Sequence, residues 1–116
     1  MNNQKILQDI EAFVEARDWD QFHSVKNLSM ALSVECSELV EIFQWMKEEK
    51  TNAVKDDPET LAKVKDEVAD IYFYLMRIVS KTGIDLEEAV VNKMKKNEAK
   101  YPVEKFRGIS KKYNEL

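Results

Sequence analysis

Two pairs of carboxylates stand three residues apart in this chain, Glu35 with Glu38 and Glu67 with Asp70. On a helix, residues three, four and seven apart are surface neighbours. For Glu35 those neighbours are Leu28, Ala31, Leu32, Leu39 and Ile42, all apolar, with Glu38 completing the ring. An ionised carboxylate centred on such a stripe is costly to bury unless it is paired or bound to a metal. The stretch "KVKDEVADIYFYL", Lys63 to Leu75, repeats the arrangement, with Val64 and Ile71 flanking Glu67 and Tyr74 four residues beyond Asp70. From Val68 to Val79 only Asp70 and Arg77 carry charge, so a narrow acidic stripe runs along a helix that is otherwise built for burial. Oxygen-only ligands suit a hard divalent cation, Mg²⁺ first and Mn²⁺ as a substitute. A di-iron bundle would need Glu-x-x-His pairs, and the only histidine, His23, lies elsewhere. The plainer alternative makes these acids exposed members of ion pairs with Lys63 and other lysines. Two acidic pairs, one centred in an apolar stripe, favour the metal.

The elements that must hold these acids are helical. Ile6, Leu7, Ile10, Phe13 and Val14 recur at helical spacing over about 3–17, after which "RDWDQFHS" breaks the pattern. Ser24 can cap a second helix running to about Glu49, and "KTNAVKDD" reads as a polar connection. Asp57 before Pro58 starts a third helix, which should end at Gly83. Asp85 and Glu88 form a capping-box start for a fourth, ending before Tyr101-Pro102, and a basic tail occupies 103–116. The expectation is an all-α, four-helix bundle-like fold forming one domain over 1–116. The short connection between the second and third helices makes them antiparallel neighbours, which sets Glu35 and Glu38 against Glu67 and Asp70.

Composition agrees. Among 116 residues there are only two Gly and two Pro, and 34% are charged, a helix-rich usage for a single domain. Eighteen Lys and Arg against 22 Asp and Glu give a net charge of −4, which argues against nucleic acid as a partner. A single cysteine, Cys36, excludes an intrachain disulfide framework and suits a reducing compartment such as the cytoplasm. No apolar run is long enough for a membrane span, and no signal-like segment opens the chain.

The order of motifs resembles a known family. "VECSELVEIFQW" and "EVADIYFYL", with residues 39–66 between the two acidic pairs, resemble the Glu-x-x-Glu and Glu-x-x-Asp signature of MazG-type all-α nucleoside triphosphate pyrophosphatases. "RDWDQFHSVKNL", the "FQW" closing the second helix, "NKMKKNEAKYP" and a late "KKY" look like the dCTP pyrophosphatase branch. Val34 stands where many relatives carry a further Glu, and Ser37 where Gly is common. The resemblance implies cleavage of a nucleoside triphosphate between its α and β phosphates, with Mg²⁺ held by Glu35, Glu38, Glu67 and Asp70. It also implies nucleotide-pool house-cleaning and a homotetramer built as a dimer of dimers. Independently, the apolar faces of Val68 to Val79 exceed what one short chain can cover, which predicts an oligomer.

Other residues then take candidate roles. Either Glu35 or Glu38 can polarise the attacking water. Lys93, Asn97 and Lys100 share a helix face where donors can meet β and γ phosphate oxygens. Tyr74 shares the stripe of Asp70 and is a candidate sugar contact. Trp45, seven residues beyond Glu38, lies roughly 10 Å along the same stripe, about the reach from a metal-bound phosphate to a base. His23, with Phe22 and Trp19, forms a flat, partly polar set that can sandwich a pyrimidine. The competing assignments are a non-catalytic helical interaction module and a dUTP-hydrolysing relative; the Trp45 and His23 matches favour the dCTP-like branch.

Overall fold

The computed structural model describes residues 3–112 and 114, and within them every regular element is helical. The final tyrosine of the "KKY" motif, Tyr113, lies outside the described residues. The helices are α1 (Asn3–Ala16), α2 (Val25–Phe43), α3 (Glu48–Asn52), α4 (Pro58–Thr82), α5 (Leu86–Lys100) and α6 (Val103–Phe106), with single 3₁₀ turns at Asp20–Phe22 and Val54–Asp56. They form two compact units, one ending at Gly83 and the other beginning at Ile84.

Local chemistry explains the boundaries. Ser24 Oγ accepts from the Asn27 amide at 3.0 Å, starting α2. Asp57 accepts from the Thr60 amide and hydroxyl, and Pro58 follows it at the first helical position, where no amide donor is needed. Gly83 ends α4 in the left-handed conformation (φ 69°), which costs glycine nothing. Asp85 caps α5 through the Glu88 amide at 3.0 Å.

Two boundaries differ from the sequence expectation. The second helix stops at Phe43 instead of Glu49, because the chain turns through residues 44–46 and makes the short helix α3 and a 3₁₀ turn that buries Val54. No glycine or proline marks that turn. The tail also contains one turn of helix, α6, with Tyr101 and Phe106 edge to face at 4.8 Å.

In the first unit α4 is the central element. The N-terminal end of α2 lies by the C-terminal end of α4, where His23 meets Arg77, and Ile42 and Glu41 lie by Thr60 and Lys63, so the two helices are antiparallel. Helix α1 runs the same way as α4: Asn3 meets Tyr72 at 2.7 Å and Glu11 meets Ser80 at 2.8 Å. Val14, Leu28, Met76 and Val79 are buried where the three helices converge. The aromatic stack Trp19–Phe13–Phe73–Tyr74, each contact edge to face, extends that packing along α1 and α4. Large apolar side chains remain on the outer faces, among them Met30, Val34, Val40 and Val68, each at least half exposed.

Candidate active site

The antiparallel pairing of α2 and α4 brings Glu35, Glu38 and Glu67 together, each offering an oxygen within 4.8 Å of the others. Glu35 Oε2 and Glu67 Oε2 are buried and meet no hydrogen-bond donor. Carboxylates held this way resist ionising. Burial first, then the carboxyl groups of Glu38 and Glu67 and the charge of Asp70, push Glu35 up to about 7. Glu67 is raised as well, by burial and then by Glu38.

Asp70 does not join the triad at this spacing. It sits one turn further along α4, exposed, on a stem one methylene shorter than that of glutamate, and its charge still acts on Glu35 and Glu67. Tyr74 faces the same group: burial and the charges of Glu35, Asp70 and Glu38 raise its phenol, which therefore stays neutral and able to donate. Beside the triad an open cavity of about 460 Å³ is lined by Glu38, Glu67, Lys63, Thr60, Ile42 and Met46. Lys63 makes no ion pair among the described residues, so the acids are not accounted for by ordinary salt bridges with it.

At the other end of α4 the loop before α2 is held in place. Asn27 Nδ2 donates to the Phe22 carbonyl at 3.1 Å, tying the 3₁₀ turn to α2. Arg77, only 4% exposed, donates from Nη2 to Asp20 Oδ1 at 2.7 Å and from Nε to His23 Nδ1 at 3.1 Å, and Lys81 reaches the same Asp20 oxygen at 2.6 Å. Neither Arg77 nor Asp20 carries a motif that marks it in the sequence. The available signal was that Arg77 is the sole cation in the apolar run Val68–Val79.

The early end of α2 removes Trp45 from the helical stripe of Glu38. A stripe requires continuous helix, and Trp45 stands in the turn after Phe43 with its side chain 89% exposed. In the second unit Lys93, Asn97 and Lys100 share one face of α5, with Asn97 half-buried and both lysines exposed.

A family model described as MazG-like matches residues 30–116, three quarters of the chain and both acidic pairs. The chain belongs to the MazG-like family. This MazG-like chain is 37% identical to dCTP pyrophosphatase 1 of Bos taurus over 99% of its own length and 70% of the relative's. It is 38% identical to dCTP pyrophosphatase 1 of Homo sapiens, over 95% of this chain and 67% of that protein. Among solved structures, a pyrophosphatase from Archaeoglobus fulgidus superposes with a TM-score of 0.75 at 35% identity, covering 88% of the MazG-like chain and 94% of that one. At this identity the likeness extends beyond fold. Among the described residues no helix is long and apolar enough to cross a membrane.

Proposed function

We propose that this chain, a nucleoside triphosphate pyrophosphatase, cleaves dCTP or a closely related or modified deoxynucleoside triphosphate between its α and β phosphates, giving the monophosphate and pyrophosphate with the help of Mg²⁺. The observation that carries this is the triad of Glu35, Glu38 and Glu67, with two buried carboxylate oxygens that lack any donor. Buried anions in that state call for a cation, and an all-oxygen donor set fits Mg²⁺. When bound, Mg²⁺ supplies charge neutralisation on the phosphate oxygens and makes water more acidic. Glu35, Glu38 and Glu67 would hold it, with Asp70 able to join by a change of rotamer. Glu35 and Glu38 also orient the attacking water, the step that phosphoanhydride hydrolysis demands of the protein.

The remaining contacts belong to the same proposal. Tyr74 is a sugar contact, supported by its closeness to the acids. His23 and Trp45 contact the base; what supports Trp45 is an indole left almost wholly in solvent. Lys93, Asn97 and Lys100 meet the outer phosphate oxygens. Residues 1–116 act as one domain in a homotetramer, a dimer of dimers, which the exposed apolar side chains Met30, Val34 and Val40 of α2, with Val68 of α4, support. The enzyme works in the cytoplasm on the nucleotide pool.

The test is incubation of the purified chain with Mg²⁺ and a panel of deoxynucleoside triphosphates that includes dCTP, 5-substituted dCTP and dUTP. Chromatography should show dCMP and pyrophosphate. Release of orthophosphate alone would reject the α–β cleavage site, and preference for dUTP would move the substrate to that related activity.

A further inference from the structure

His23 stands half-buried in the loop before α2, and its Nδ1 faces Arg77 Nε at 3.1 Å. A guanidinium carries five N–H donors and no acceptor, and it stays protonated in proteins. This bond therefore has one polarity only. Arg77 donates and His23 Nδ1 accepts, which an imidazole can do only when it is neutral with its proton on Nε2.

We propose that Arg77 is a positioning residue that locks His23 in the Nε2–H tautomer, so that the imidazole in the loop before α2 offers its ligand a fixed hydrogen-bond donor and no acceptor. The proposal rests on the assignment of His23 as a base contact. Its chemical consequence is specific: the ligand atom opposite Nε2 must be an acceptor. Cytosine offers O2 and N3 as acceptors and uracil and thymine offer O2 and O4, so the fixed donor selects cytosine only where it meets position 3, which carries N–H in uracil and thymine. It also removes His23 from general-base chemistry, because the ring nitrogen turned away from Arg77 already carries the proton.

The surroundings reinforce the lock. The charged groups acting on the ring are Asp20 from its own loop, and Arg77 and Lys81 from α4. Protonating His23 would break the Arg77 bond and set two cations against each other. Asp20 opposes this only weakly, since its Oδ1 is already engaged by Arg77 and Lys81. Burial and the Arg77 charge keep the imidazole below its ordinary 6.5. Asp20 in turn makes the burial of the Arg77 guanidinium tolerable. The arrangement orients a neutral histidine through a buried cation and an exposed acid.

His23 is the chain's one histidine, so its imidazole nitrogens can be followed without assignment. Long-range ¹⁵N–¹H spectra of the full chain, free of nucleotide and titrated from high to low pH, should show a single tautomer with Nε2 protonated, persisting below the usual histidine midpoint. Arg77→Met should mix the tautomers and move the midpoint upward. It should also raise KM for the preferred nucleotide roughly tenfold, with a smaller change in kcat, the effect of one misdirected hydrogen bond. Should Arg77→Met not fold, Lys81→Met leaves Arg77 with both Asp20 and His23; it should retain the tautomer and raise the midpoint slightly. Mixed tautomers in the wild-type chain, or a proton on Nδ1, overturn the proposal. A fixed Nε2–H tautomer in a chain whose His23→Ala variant keeps an unchanged KM overturns the base-contact assignment instead, and with it the donor's role toward the ligand.

Discussion

Glu35 on α2 and Glu67 on α4 face each other with carboxylate oxygens no more than 4.8 Å apart, and each keeps one oxygen buried without a donor. Such a pair is a liability to the fold and an asset to a cation site. Replacing Glu35 with Gln relieves the repulsion and weakens the ligand set. Glu35→Gln should therefore melt at or above the wild-type temperature without metal, gain much less on adding Mg²⁺, and lose at least about a hundredfold in turnover. Thermal melts with EDTA and with Mg²⁺, together with a pyrophosphate-release assay, check all three.

The same geometry sets a pH dependence. Folded Glu35 holds its proton up to about 7, against an ordinary 4.5 for an unburied glutamate. Between those values the folded state binds more protons than the unfolded chain, so stability falls as pH rises. In EDTA the melting temperature should be highest at the acid end of this window and drop through neutrality. Mg²⁺ requires the ionised carboxylates, so its affinity should climb over the same range. Melting curves and calorimetric titrations at several pH values give the two opposing slopes; a metal-free stability that rises from about pH 5 to about pH 7 would contradict the triad's geometry.

Trp45 touches solvent over most of its surface, whereas Trp19 is 41% exposed and packs edge-on against Phe13 at 5.5 Å. Substituting Trp45 by Ala should leave stability within about 0.5 kcal/mol of wild type, as surface changes do. KM for the preferred nucleotide should rise while kcat changes little. Fluorescence of Trp19→Phe, which leaves Trp45 as the sole indole, should be quenched by nucleotide in the presence of Mg²⁺. No quenching there, with quenching kept in Trp45→Phe, would transfer the base contact to Trp19.

Leu28, 1% exposed, fills the junction of α1, α2 and α4 close to the loop that carries His23. Leu28→Ala should cost about 2–5 kcal/mol, the transfer free energy of the lost methyl groups plus the cavity they leave. Denaturant unfolding measures this. The loss should appear in the midpoint with the slope unchanged, because the extent of buried surface stays nearly the same.

Much of this protein can be read from the order of its residues because the deciding physics is local. Ser24, Asp57-Pro58, Gly83 and Asp85 act within a few positions of themselves, so the start of α2, both ends of α4 and the start of α5 stand where those residue types require. Periodicity likewise puts Glu35 beside Glu38, and Glu67 one turn before Asp70, on helix faces that length and connection make neighbours. What the local pattern could not decide depends on contacts between distant segments. After Phe43 the chain leaves α2 for a turn, α3 and the 3₁₀ turn in which Val54 is buried, and no glycine or proline announces the break, so Trp45 stands off its expected stripe. That three acids close within 4.8 Å while Asp70 stands apart depends on the approach of two helices and on side-chain length. The polarity of the His23–Arg77 bond is the clearest case: its partners lie 54 positions apart, and only packing α4 against the loop before α2 turns a lone histidine and a stray arginine into one oriented donor.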